Sequence, residues 1–251
     1  MTRPLGLTRA GVALFALIVI AATPVRAGGS SERNGRSGGE RSASGTSPAG
    51  EAPTDEIPEN AETAVFAGGC FWCMEEAYEE VTGVYEVVSG YAGGAEPDPD
   101  YNAVAGQRTD HLEVVRVFYD PEVRTYEELL YVFWRNVDPL DAGGQFCDRG
   151  GSYTTAIFYR SEQQRRLAQE SKEELERSNR FSQPIVTEIR PLDVIEGDDN
   201  DGFWRAEEYH QEYYEKNPVR YRFYKEGCGR VRRLEQLWGE EAGAPSLDKE
   251  A

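Results

Sequence analysis

The sequence predicts an α+β domain: a two-layer split βαβ (ferredoxin-like) plait with an irregular C-terminal tail. Three observations carry this. β-rich apolar runs and segments of helical spacing follow one another in the order β-α-β-β-α-β, glycine pairs and a Pro/Asp loop punctuate them, and no internal repeat is present. Thr63 to Ala67 is a short apolar run ended by Gly68-Gly69, a buried strand. Phe71 to Val81 then places Met74, Ala77, Tyr78 and Val81 at helical spacing and stops before Gly83. Val84 to Tyr91 is β-rich and ends in the Gly93-Gly94 turn, and the loop Glu96 to Asp100 leads to the strongest strand, Leu112 to Tyr119. There Leu112, Val114, Arg116 and Phe118 share one face, and Val115 and Val117 the other. Thr125 is a good N-cap for Tyr126 to Asn136, whose Leu129, Leu130, Phe133 and Trp134 form an apolar stripe. Tyr153 to Tyr159 is strand again, Ser161 caps a long charged helix to Ser178, and Ile185 to Arg190 is a further strand. Beyond it the chain reads as loop-rich, with short helical segments over Glu207 to Glu215 and Arg230 to Leu237.

Not all 251 residues belong to that domain. Residues 1–27 carry early arginines, an unbroken apolar run from Gly11 to Ala22 and then Val25-Arg26-Ala27, the three-part pattern of a secretory signal peptide. The run is shorter than the roughly 20 residues of a membrane span. The expectation is therefore export to a periplasmic or extracellular space with no stable membrane domain after cleavage; the alternative is tethering by an uncleaved segment. Residues 28–61 form a Gly/Ser/Pro linker too poor in apolar side chains to offset its ordering entropy. A catalytic domain is expected over 62–240 and a tail over 241–251. With 45 acidic against 27 basic residues the formal charge is −18, which argues against nucleic-acid binding, since phosphate neutralisation needs a basic face. Four cysteines in a chain this long are too few for a disulfide scaffold, so cysteine chemistry should be local.

That chemistry concentrates at Gly68-Gly69-Cys70-Phe71-Trp72-Cys73. A strand stops, two glycines turn and a helix starts, so Cys70 faces unpaired N–H groups and the positive end of the macrodipole. Both favour thiolate over thiol, the form that acts as nucleophile. CxxC at a helix start is also the arrangement of thiol–disulfide oxidoreductases, and the bland alternative is two small residues packed under the helix. A zinc site needs paired short ligand spacings, and only one CxxC exists, with His111 and His210 the sole histidines. No metal is expected, and no phosphate-binding loop or other cofactor motif is found.

The segments GCFW and VSGYAGG, then DPDY (98–101), DHLEVVRVFYDP (110–121), LLYVFWRNVDP (129–139), QFCDRGGSYTTAIFY (145–159) and YHQEYYEKNP (209–218), resemble the A-type peptide methionine sulfoxide reductases. The likeness runs from about Ala64 to Cys228. It implies the same two-layer plait and a protein-repair oxidoreductase active under oxidative stress, converting methionine S-sulfoxide, free or in proteins, to methionine. In that reading Cys70 is the nucleophile, Glu113 the acid, and Phe71 and Trp72 the walls for the S-methyl group. Tyr101, Asp148, Tyr153 and Tyr221 are the polar residues around the substrate. A cysteine sulfenic acid would then condense with a second thiol, and a thioredoxin-like dithiol would reset the enzyme.

The sequence departs from the family in its resolving cysteine. Arg222 follows Tyr221 where many members have a cysteine, the only tail cysteine is Cys228, and Cys73 and Cys147 are two further redox candidates. Cys228 is expected to resolve first, before Cys147 and then Cys73. The competing readings are a general CxxC thiol–disulfide oxidoreductase and a secreted, non-catalytic binding module.

Overall fold

A computed structural model describes residues 57–193, 200–244 and 247; the expected signal segment and all but the last residues of the linker lie outside the described residues. Three segments build the floor of the fold: β1 (Glu62–Gly68), β2 (Val84–Ala92) and β3 (Leu112–Tyr119). Helix α1 (Phe71–Glu79) joins β1 to β2, the short α2 (Tyr101–Ala105) precedes β3, and α3 (Tyr126–Arg135) follows it. Two-residue strands β4 (Gly144–Gln145) and β5 (Asp148–Arg149) make a small separate hairpin before β6 (Thr155–Tyr159), α4 (Glu162–Arg177), β7 (Glu188–Pro191) and β8 (Phe203–Arg205). The chain then turns helical: α5 (Tyr213–Lys216), α6 (Pro218–Gly227) and α7 (Arg230–Trp238).

The result is a mixed α/β fold around one six-stranded sheet in the order β7-β6-β1-β3-β2-β8. All neighbours are antiparallel except β6 and β7. Because strand side chains alternate, β1 sends Ala64 and Phe66 to one face and Val65 and Ala67 to the other. The first face is the main core, where Phe66 stacks on Tyr78 and Phe133 with centroids 5.2 and 5.4 Å apart. On β3 the split is as expected: Val115 and Val117 enter the main core, Leu112 and Val114 the second. Thr125 caps α3 in a full capping box with Glu128, and Ser161 caps α4 through the Gln164 N–H. Such caps contribute about 1 kcal/mol each.

The irregular tail is corrected. Pro218–Gly227 is a ten-residue helix, started by proline at its first position, where the missing N–H costs nothing. It buries only Tyr221, so it shows almost no apolar stripe to read. Strand β8 is three residues with an arginine, too short for any period, and the strand expected over Ile185 to Arg190 pairs only from Glu188. Among the described residues no helix is long and apolar enough to cross a membrane.

Candidate active site

The site grows from the β1–α1 turn. Gly69 takes φ +80°, which L side chains avoid, and a Cβ there would also lie 2.5 Å from Gln145, so only glycine makes this turn. The turn leaves Cys70 as N-cap of α1, with no side-chain capping bond of its own, and Cys73 as the third helical residue. The Phe71 N–H, one of the helix's free donors, gives its hydrogen bond to Glu113 Oε2 at 3.1 Å. Glu113 gets there because it pairs with Tyr91 across β2–β3 and shares the face of Val115, turned to the helices.

Cys70, Phe71, Trp72, Tyr101, Glu113, Asp148, Tyr153 and Tyr224 line one cleft of about 70 Å³. A larger groove of about 520 Å³ lies between α3 and α4, but it holds no cysteine, so the chemistry lies in the smaller one. Trp72 is fixed from two sides. Its indole N–H donates to His210 Nδ1 at 3.1 Å, and its ring stacks on Tyr213 at 3.8 Å. Burial pushes His210 down to about 4, so the imidazole is neutral at pH 7 and free to accept that bond.

Burial pushes the Glu113 carboxyl up to about 8, outweighing the Phe71 bond that favours its charged form. A nearby Asp148 charge adds to the rise. Glu113 is therefore mostly protonated at neutral pH, an acid with a proton to give. Asp148 is also raised by burial, and the Tyr224 hydroxyl donates to its Oδ2.

Cys70 and Cys73 are both free, buried, and hydrogen-bonded thiol to thiol. Burial holds Cys70 well above the ordinary thiol value, whereas the bond from Cys70 pulls Cys73 down to about 6, with Arg230, Tyr221 and Lys225 helping against burial. The two sulfurs thus share one proton and carry one negative charge at neutral pH. Only Cys70 lines the cleft and so is the sulfur placed to meet a substrate, whereas the pair's charge rests on Cys73 behind it, the reverse of the thiolate expected at Cys70 from the helix start. Arg230 sits fully enclosed beside the pair, held by the carbonyls of Gly68 and Asn136 at 3.2 and 2.9 Å.

Seven of the residues named from the sequence meet in the cleft: Cys70, Phe71, Trp72, Tyr101, Glu113, Asp148 and Tyr153. Tyr221 does not line it; its hydroxyl donates to Glu76 Oε2 at 2.6 Å and its ring packs with Cys73. Tyr224, one turn on, takes the cleft position and hydrogen-bonds the Cys70 sulfur. Cys228 is bonded to Cys147, not to Cys70. Those two sulfurs flank Asp148, the one metal-type cluster among the described residues, and both are taken up in the disulfide. His111 bonds locally, to the Glu96 carbonyl at 2.8 Å. Sequence reasoning missed Tyr224, Arg230, His210 and Tyr213. Only His210 and Tyr213 carried a signal, lying in the YHQEYY block.

A shared-proton cysteine pair at a helix start, facing a protonated carboxyl across an aromatic cleft, defines a thiol-based oxidoreductase site. The chain belongs to the peptide methionine sulfoxide reductase family, whose model matches residues 62–242. It is 48% identical over 185 residues to the peptide methionine sulfoxide reductase MsrA of Bacillus licheniformis, covering 74% of this chain and 98% of that one. With the Bacillus subtilis MsrA the identity is 46% over 183 residues, covering 73% and 99%. Among solved structures, reduced Mxr1 from Saccharomyces cerevisiae aligns with TM-score 0.57 at 32% identity, over 64% of this chain and 88% of that one. Methionine sulfoxide reductase A of Corynebacterium diphtheriae aligns with TM-score 0.56 at 31%, over 64% and 77%.

Proposed function

We propose that this protein reduces methionine S-sulfoxide, free or in proteins, to methionine, as a peptide-methionine (S)-S-oxide reductase. The observation that carries this is the placement of the Cys70 sulfur, the protonated Glu113 carboxyl and the Phe71–Trp72 walls around one cleft. The S-methyl group lies against the two rings, whose apolar surface rejects the polar oxygen. The oxygen turns toward Glu113, Tyr101 and Tyr153. As the Cys70 thiolate attacks sulfur, the S–O bond gains negative charge on oxygen, and Glu113 protonates it. In balance, sulfoxide plus Cys70 thiol gives sulfide plus Cys70 sulfenic acid.

An exposed dithiol protein of the thioredoxin kind would close the cycle by exchange with the partly exposed Cys147–Cys228 bond. The fold reading is that β6-β1-β3-β2 with α1 and α3 form a split βαβ plait, supported by the fully antiparallel pairing of those four strands, with β7 and β8 as added edges. Residues 1–27 would direct export before removal, leaving a repair enzyme outside the cytoplasm.

The test is dithiothreitol-dependent reduction of the two resolved epimers of a methyl sulfoxide. Turnover of the S epimer with little or none of the R epimer is expected. Insulin-type disulfide reduction without sulfoxide turnover would favour the general CxxC oxidoreductase instead, and inertness toward both would favour a binding module.

A further inference from the structure

We infer that Arg230, the first residue of α7, is the resident counter-ion of the Cys70–Cys73 pair: an enclosed cation that the buried thiolate balances, and that lets the pair hold its charge away from water. Arg230 is thus a positioning residue behind the reacting sulfur, and in its kinetic consequence this rests on the sulfoxide reduction proposed above.

Taking a guanidinium out of water is costly unless an anion offsets the lost hydration. Arg230 is 2% exposed. Its Nη2 donates to the Gly68 carbonyl at 3.2 Å and the Asn136 carbonyl at 2.9 Å, and meets Met74 Sδ at 3.4 Å. The guanidinium carbon lies over the Phe146 ring, 4.6 Å from its centroid. All four partners are neutral, and among the described residues no carboxylate lies within ion-pair distance of Arg230. Other cations differ in this respect. Arg124, the other fully buried arginine, pairs with Glu128 at 3.4 Å, Arg233 pairs with Asp138 at 2.6 Å, and Lys225 pairs with Glu76.

The partners of Arg230 locate the missing anion. Gly68 stands two residues before Cys70 and Met74 directly follows Cys73, so the guanidinium is held at both ends of the segment that carries the two thiols. Both sulfurs are enclosed there with it. The influence runs both ways. For Cys73 the bond from Cys70 comes first and burial opposes it, and Arg230 is the strongest charge in favour of the thiolate. For Arg230 burial opposes the cation, and Cys73 and then Cys70 more than offset it. The other groups facing the pair do not take this part. Glu113 opposes a charge on Cys70, and burial holds it toward its neutral form. Asp148, the rival anion, also feels Arg230, but burial raises it and its Oδ2 accepts from Tyr224. Burial keeps Tyr101, Tyr153, Tyr221 and Tyr224 as neutral hydroxyls. Lys225 helps from α6, yet its charge is already met by Glu76.

The experiment titrates the thiolate by its ultraviolet absorbance in wild type, R230K and R230Q, with Cys147–Cys228 intact and C70S/C73S as the blank. Glutamine keeps a donor for the carbonyls and loses the charge; lysine keeps the charge and loses the fork. Wild type and R230K should gain their first thiolate near pH 6. R230Q should do so at least about one pH unit higher, a tenfold shift in the thiolate equilibrium, and the acid limb of single-turnover methionine formation should move with it. An unmoved titration in R230Q, or an equal rise in R230K and R230Q, makes Arg230 a hydrogen-bonding staple and overturns the inference. Stability gives a second measurement should R230Q fold poorly. Urea unfolding at pH 7 compares the cost of R230Q in the wild-type and C70S/C73S backgrounds. Each loss alone strands the opposite charge, so R230Q should cost at least about tenfold less in the folding constant when both cysteines are serine, or should fold only there. An equal cost in both backgrounds overturns the inference. A moved titration with no methionine formed by any protein that retains Cys70 leaves the counter-ion standing and overturns the sulfoxide reading instead.

Discussion

Replacing Glu113 by glutamine tests acid and fold together. Glutamine keeps the shape and can still accept the Phe71 N–H bond of 3.1 Å, but it has no proton to transfer. Losing a general acid typically lowers the rate by ~100- to 10,000-fold, read here as formation of methionine in a single turnover near pH 7. With the wild-type carboxyl at about 8, roughly nine-tenths of it is protonated at pH 7 and about one-tenth at pH 9. The wild-type rate should therefore fall through about pH 8, and should rise through about pH 6 as the cysteine pair loses its first proton. E113Q should lose the alkaline limb and keep the acid one. Stability responds with a defined sign. A carboxyl whose folded value lies above its unfolded one makes the native state bind more protons, so its contribution is full below about 4.5 and lost as pH rises through about 8. Moving a carboxyl from 4.5 to about 8 corresponds to about 5 kcal/mol. Glu75 at about 8 and Glu79 at about 7 bend the curve the same way, so only the difference between the two proteins isolates Glu113. Urea unfolding of both, from pH 4 to 9 with the Cys147–Cys228 bond intact, gives that difference. A near-wild-type rate with the alkaline limb retained, or parallel stability curves, refutes the assignment.

C70S should abolish sulfoxide reduction while leaving the thermal transition in place, because a hydroxyl is a far weaker nucleophile at neutral pH; substantial turnover would remove Cys70 from the mechanism. W72A should raise KM and reduce discrimination between sulfoxide epimers, whereas Y85A, on an exposed strand position, should change neither; unaltered epimer selectivity in W72A would make the ring ordinary packing. Y224F removes a hydroxyl that lies between Cys70 and Asp148 and has one proton to give; where that proton turns from Asp148 to the Cys70 thiolate during reaction, its loss should move the acid limb to higher pH and lower the rate at pH 7 roughly tenfold, about 1–2 kcal/mol of lost donor, whereas an unmoved limb would leave the proton on Asp148 and rule out thiolate stabilisation by Tyr224.

What could be read from the chain follows the reach of each physical signal. The alternation in Leu112 to Tyr119 put Glu113 on a definite face, and the register with β2 brings that face under the start of α1, so one strand's periodicity already aimed an acid at the cysteine. Thr125 and Ser161 were legible because caps act over three residues. The polar shell was not, because it depends on contacts far apart in sequence: Trp72 meets His210 across 138 positions, Arg230 meets Gly68 across 162, and Cys147 meets Cys228 across 81. No local period encodes such meetings. That Tyr221 sits beside Cys73 while Tyr224 lines the cleft was hidden for the same reason. Choosing between Tyr221 and Tyr224 requires knowing that Pro218 starts a helix and which way its sparse buried side faces, and with Tyr221 as the only fully buried residue of α6 the charge pattern leaves that rotation undetermined. Cys73 shows the reverse case. Its relation to Cys70 is local, three residues apart across one N-cap, and a helix start fixes it without any tertiary contact. The spacing that first suggested a reactive cysteine therefore also set a second buried thiol against it, whereas the order in which Cys228, Cys147 and Cys73 would meet a Cys70 sulfenic acid depends on long-range approach that no local spacing encodes.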